Sequence, residues 1–131
     1  MGEASITRVT FVHEETVRFS DLDSLGHLNN AVYATFLEQA RIAFLAPLGA
    51  PVTGMILARL EIDFRAQVSF GDRVEIEVMP GRIGTKSFEL AYTMRVRETV
   101  VAEAKSVLVA YDYQSERSIE IPDEWKERLA A

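Results

Sequence analysis

"AVYATFLEQARIAFL", residues 31–45, decides how this chain folds. Tyr33, Phe36, Leu37, Ala40 and Phe44 recur at helical spacing, no Gly or Pro interrupts them, and Pro47 and Gly49 close the pattern. The spacing predicts a helix of about 22 Å at 1.5 Å per residue, with its apolar residues placed as core. Asn29 or Asn30 stands where it can cap that helix, a side-chain oxygen accepting a backbone N–H left free in the first turn.

Val9 to Phe19 reads as an extended segment that bends at His13-Glu14-Glu15. Beyond the helix the apolar period switches from 3.6 to two. Leu60, Ile62 and Phe64 alternate with Glu61, Asp63 and Arg65, and Val74, Ile76 and Val78 with Arg73, Glu75 and Glu77. Phe88 to Val96 repeats the alternation, and Val100 to Tyr111 forms a last, more apolar strand. Gly71-Asp72, Pro80-Gly81 with Gly84, and Glu98-Thr99 supply turns, so these four strands are expected to pair by hairpins. Ile121 to Leu129, opened by Pro122 and Asp123, reads as a short terminal helix. The order implies an α+β domain, a five-stranded antiparallel sheet wrapped around one long central helix. Such a sheet leaves edges unpaired, which predicts at least a homodimer, with two sheets joined edge to edge as one arrangement.

A length of 131 residues suits a single domain, residues 1–131, with one site per chain. A hydrophobic content of 48% and a charged content of 26% are those of an ordinary globular protein. With no cysteine there is no disulfide framework, no thiolate metal site and no cysteine nucleophile. The first residues carry no apolar core of signal-peptide length, and no apolar stretch reaches the roughly 18 residues of a membrane span. A cytoplasmic location is the expectation. A net charge of −6 argues against a nucleic-acid binder, yet a local basic cluster can still hold a small anionic ligand.

Chemistry concentrates in "DLDSLGHLNN", residues 21–30, just before the helix. A calcium loop starting at Asp21 would need oxygen ligands where Leu25 and Val32 stand. An aspartyl phosphotransferase belongs on a parallel sheet, which this order of elements does not build. Metal capture would have to rely on His27 and two aspartates without ligand spacing, so no metal is expected. Two readings stay open. The stretch is a solvated loop that caps a helix, with Asp21 ordering it by accepting backbone hydrogen bonds. Alternatively, Asp23 faces a carbonyl polarised by free N–H groups and the positive end of the helix dipole, with Gly26 letting the backbone come close.

Asp21-x-Asp23-x-x-Gly26-His27-x-Asn29-Asn30-x-x-Tyr33, followed by Phe36-x-Glu38-x-Ala40-Arg41, resembles the signature of the hotdog-fold thioesterases of the 4-hydroxybenzoyl-CoA thioesterase family. The likeness covers nearly the whole chain and includes Lys86-Ser87-Phe88 at the start of a late strand. It implies hydrolysis of an acyl-CoA thioester to a carboxylic acid and free coenzyme A, without metal or redox cofactor. By position, Asp23 is the catalytic carboxylate, as nucleophile or as base. The backbone N–H at Asn30 polarises the carbonyl, while Gly26 and His27 line the pocket and Tyr33 is among the residues that bound the acyl group. Arg82, Lys86 and Ser87 lie where the family holds the carrier, the basic pair on its phosphates. Gly84 and Thr85 stand where some members have adjacent arginines. The carrier is thus coenzyme A or acyl carrier protein.

Glu38 and Arg41, three apart on the helix, are expected to pair with each other. Two rivals remain on this fold. A hydratase or dehydratase would want a histidine paired with a second carboxylate, a pattern that His13 and His27 do not form. An acyl-CoA sensor would normally carry a further domain. The site is expected to need both chains of a homodimer or homotetramer.

Overall fold

Asn29 starts the long helix as the sequence suggests: its Oδ1 accepts the Ala31 N–H at 2.9 Å, and α1 runs Asn30–Leu45. The computed structural model describes residues 11–48 and 54–130. Val9 and Thr10 of the expected first strand, and Gly49, lie outside the described residues. The buried face of α1 carries Tyr33, Phe36, Leu37, Ala40 and Leu45, joined by Arg41. Phe44 is only half-buried and packs edge-on against Phe11, with ring centroids 5.4 Å apart.

The strands are β1 (Phe11–Thr16), β2 (Met55–Phe64), β3 (Arg73–Ile83), β4 (Ser87–Val96), β5 (Thr99–Asp112) and a two-residue β6 (Arg117–Ser118). All pairings are antiparallel and the order is β1-β3-β4-β5-β2, with β6 beside β5. Val74, Ile76 and Val78 of β3, Phe88, Leu90, Tyr92 and Met94 of β4, and Leu108 and Ala110 of β5 are buried, so alternate residues line the face that meets α1. The short α2 (Asp123–Ala130) closes the chain, burying Trp125 and Leu129. Its approach is tied down where Ile121 N–H donates to the Thr85 carbonyl at 2.9 Å.

Four expectations are corrected. The hairpin series fails at β2, which pairs with β5 at the sheet edge rather than with β3. The segment 65–72 crosses to the far side of the sheet, past the start of α1, instead of turning back. β1 does not bend at His13-Glu14-Glu15: its register with β3 is unbroken, and strand alternation keeps His13 and Glu15 on one face, where their side chains bond at 2.5 Å. Pro80-Gly81 is not the turn. β3 continues to Ile83, with a bulge between Pro80 and Ile83 that absorbs the residue lacking an N–H. A Cβ at Gly81 would stand 3.2 Å from Glu89 Cβ, so a larger residue at this bulge would have to push Glu89 aside by a few tenths of an ångström. Glu38 and Arg41 form no ion pair, because Arg41 turns inward to the Tyr92 hydroxyl.

Candidate active site

The loop before α1 is built on two aspartates with opposite surroundings. Asp21 is buried and saturated: Oδ2 accepts the Arg18 backbone N–H at 2.8 Å, and the Arg18 guanidinium reaches Oδ1 at 3.0 Å. The Arg18 hydrogen bonds hold its carboxyl below the usual aspartate value against the opposing effect of burial. Its backbone carbonyl accepts the Asn29 N–H at 2.9 Å, fixing the approach to the helix.

Asp23 is exposed. Its Oδ1 accepts the Leu25 N–H at 2.9 Å and the His27 N–H at 3.1 Å, while its own N–H donates to the His27 carbonyl at 2.8 Å. The N–H groups of His27 and then Leu25 lower its pKa, so the group is a carboxylate at neutral pH. Among the described residues Oδ2 has no hydrogen-bond donor. Gly26 turns the loop at φ +82° and its N–H donates to the Asp23 carbonyl at 3.1 Å.

At the helix start Asn29 Oδ1 takes the Ala31 N–H and the Asn29 carbonyl takes the Val32 N–H at 2.8 Å. The Asn30 N–H is left without an acceptor among the described residues, at the end where the helix dipole favours negative charge. Asp23, His27, Asn30 and Tyr33 together line a cleft of about 330 Å³. Its other wall is Phe64, Arg65, Ala66 and Gln67 from the β2–β3 crossing, which the sequence reading missed. Tyr33 is pinned against that wall, its hydroxyl donating to the Ala66 carbonyl at 3.3 Å and its ring edge-on to Phe64 at 4.9 Å. Burial raises the Tyr33 pKa, so the hydroxyl stays protonated.

Not every expected residue joins this cleft. Gly26 does not line it, and a Cβ there would touch nothing within 4 Å, so its contribution is the positive φ of the turn. Arg82 and Ser87 line a separate cleft of about 280 Å³ at the β3–β4 turn. Lys86 lies in the same turn, its carbonyl accepting the Ala110 N–H at 2.9 Å. The length of β3 separates this turn from the Asp23 loop, roughly 30 Å at 3.3 Å per residue. One protomer therefore does not bring the two groups together. Among the described residues no group of three His, Cys, Asp or Glu gathers as a metal site, and no helix is long and apolar enough to cross a membrane.

Comparison with known proteins points one way. A family model described as the Thioesterase-like superfamily matches residues 17–129. A 1,4-dihydroxy-2-naphthoyl-CoA hydrolase of Nostoc punctiforme is 31% identical over 124 residues, 88% of this chain and 84% of that protein. A long-chain acyl-CoA thioesterase of Escherichia coli is 27% identical over 121 residues, 86% of this chain and 92% of that one. A thioesterase of Thermus thermophilus, solved with coenzyme A and zinc, superposes with a TM-score of 0.83 at 30% identity, covering 90% of each chain.

Proposed function

Since the chain belongs to the thioesterase-like superfamily, we propose that its cleft hydrolyses acyl-CoA thioesters to a carboxylic acid and free coenzyme A, with Asp23 as the catalytic carboxylate. One juxtaposition carries this assignment: Asp23, with a lone Oδ2, and Asn30, whose backbone N–H has no acceptor, line the same cleft.

The thioester carbonyl oxygen accepts the Asn30 N–H. As the carbonyl carbon becomes tetrahedral its oxygen gains negative charge, and the N–H and helix dipole stabilise that charge more than the starting carbonyl. Two routes use the same carboxylate. In one, Asp23 Oδ2 attacks the carbonyl carbon, the C–S bond breaks, coenzyme A leaves as thiolate, and water hydrolyses the resulting mixed anhydride. In the other, Oδ2 takes a proton from the water that attacks. The hydrogen bonds that lower the Asp23 pKa keep it ionised at neutral pH, which both routes require. His27 fixes the carboxylate through its backbone and faces the substrate with its side chain, and Tyr33 bounds the acyl group.

The site is completed across two chains. Among the described residues β2 is an edge with β5 as its single neighbour, and two β2 strands paired antiparallel invert one sheet relative to the other, end for end. That brings the partner's β3–β4 turn, with Arg82, Lys86 and Ser87, to the end where Asp23 stands. A homodimer is the minimal catalyst, and a homotetramer preserves the same pairs. A cytoplasmic site of action belongs to this reading, in keeping with a chain that has no cysteine.

The test is free-thiol release from a panel of aryl and aliphatic acyl-CoA esters, run beside the corresponding acyl carrier protein thioesters. Release by the wild type that is abolished in Asp23→Ala supports the assignment. Tight binding without thiol release would replace it with a sensor, and water addition to an enoyl ester with a hydratase.

A further inference from the structure

Of the two charged residues buried among the described ones, Asp21 is paired with Arg18 and Arg41 has no charged partner. Arg41 is 8% exposed, and its guanidinium makes one side-chain hydrogen bond, Nη1 donating to the Tyr92 hydroxyl at 3.3 Å. Tyr92 shares a 2.6 Å bond with Ser106, and both are fully buried. Among the described residues no carboxylate lies within 4 Å of Arg41. Holding a guanidinium this far out of bulk water is costly, and an anion seated against it offsets that cost.

Arg41 lines a cavity of about 250 Å³ with Glu38, Ile42, Met55, Leu57 and Tyr113. Glu38 stands exposed at its rim, also without an ion-pair partner among the described residues. Leu57 and Tyr113 flank it, 41% and 56% exposed. Two more features single out this patch. It adjoins the β2 edge, and Glu38 lies at the middle of α1, where a two-fold axis through the centre of paired β2 strands would bring two helices together.

A two-fold interface joins a patch to itself, so residue i meets j and j meets i. With a cation inside and an acid on the rim, this patch is complementary to its own copy. We propose that a second copy of the chain covers it, Glu38 of each protomer entering the cavity and pairing with the partner's Arg41. The inference rests on the homo-oligomer reading above and adds the contact that fixes its register.

The experiment is a charge swap in trans on the full chain, read by sedimentation rather than activity, so that it stands even if the catalytic assignment fails. Glu38→Arg alone and Arg41→Glu alone should each raise the homodimer dissociation constant about tenfold or more. Mixing the two should restore a tight heterodimer, because both contacts then again join a cation to an acid. A pair within one chain gains nothing from mixing, so failure to recover overturns the proposal. Should Arg41→Glu not fold, Glu38→Cys decides, since the chain has no other cysteine. A short bis-maleimide should link two Glu38→Cys chains and leave Glu98→Cys, on an exposed turn, unlinked. Absence of the Glu38→Cys link in an oligomeric sample overturns the proposal. So does benzoate raising the melting temperature of Glu38→Arg while that variant stays dimeric, because the cavity would then be an anion site.

Discussion

Asp23 and His27 are locked to each other twice, by the His27 N–H to Asp23 Oδ1 at 3.1 Å and by the Asp23 N–H to the His27 carbonyl at 2.8 Å. The double link makes the loop a rigid mount for a residue that lines the cleft and has one carboxylate oxygen held. In the proposed reaction, pre-organisation of this kind lowers the cost of bringing the charge to the substrate.

Asp23→Asn keeps an oxygen able to accept both N–H groups but removes the charge. Thiol release should fall at least about 100-fold in kcat/KM, with only a small drop in melting temperature, since the lost charge had favoured the fold through the same two N–H groups. In the wild type the backbone N–H groups lower the Asp23 pKa. The acid limb of the pH–rate profile should therefore lie below the ordinary aspartate range, activity being present above it and lost as the pH falls through it.

Gly26→Ala tests the turn apart from packing. A Cβ meets nothing within 4 Å, so the cost is that of φ +82° alone, about 1 kcal/mol of stability. Relaxation of that strain tilts Asp23, and kcat should fall more than the melting temperature suggests. Gly26→Asn should recover part of both, since asparagine tolerates this region better.

Removing the Asp21 charge strikes the support beneath the site. Asp21→Asn should cost about 1–3 kcal/mol in denaturant unfolding. Because the folded-state pKa of Asp21 is depressed, the stabilisation is complete above the usual carboxylate range. It fades as the pH falls through the lowered value, so the difference between wild type and variant should shrink toward acid.

Lys86→Ala and Arg82→Ala should raise KM for acyl-CoA several-fold with little change in kcat, and the wild-type KM should rise with ionic strength. Steady-state kinetics at two salt concentrations check both. A substrate carrying only the pantetheine arm should be indifferent to the two substitutions.

The parts of the fold that follow local periodicity were legible. Tyr33, Phe36, Leu37 and Ala40 announce α1 because helical spacing is written within a few residues, and strand alternation announces β3 and β4 in the same way. The placement of β2 was not, because an alternating strand carries no label for its partner; only the course of 65–72 decides that Met55↔Ala110 and Phe64↔Ala102 pair. In the site, Asp23, His27 and Asn30 are legible as one continuous stretch. Phe64 and Gln67 form the opposite wall from more than thirty residues away. The turn of Arg41 toward Tyr92 depends on a contact across 51 positions, whereas an (i, i+3) rule sees only Glu38.

The docking of α2 brings its own optical probe. Trp125 is the only tryptophan of the chain and is 6% exposed, so nearly all intrinsic indole fluorescence comes from the terminal helix. A red shift in emission reports that helix lifting away, separately from the circular dichroism of the sheet. Since Ile121 is bonded to Thr85 beside Lys86, the same signal follows events at the β3–β4 turn without any attached dye.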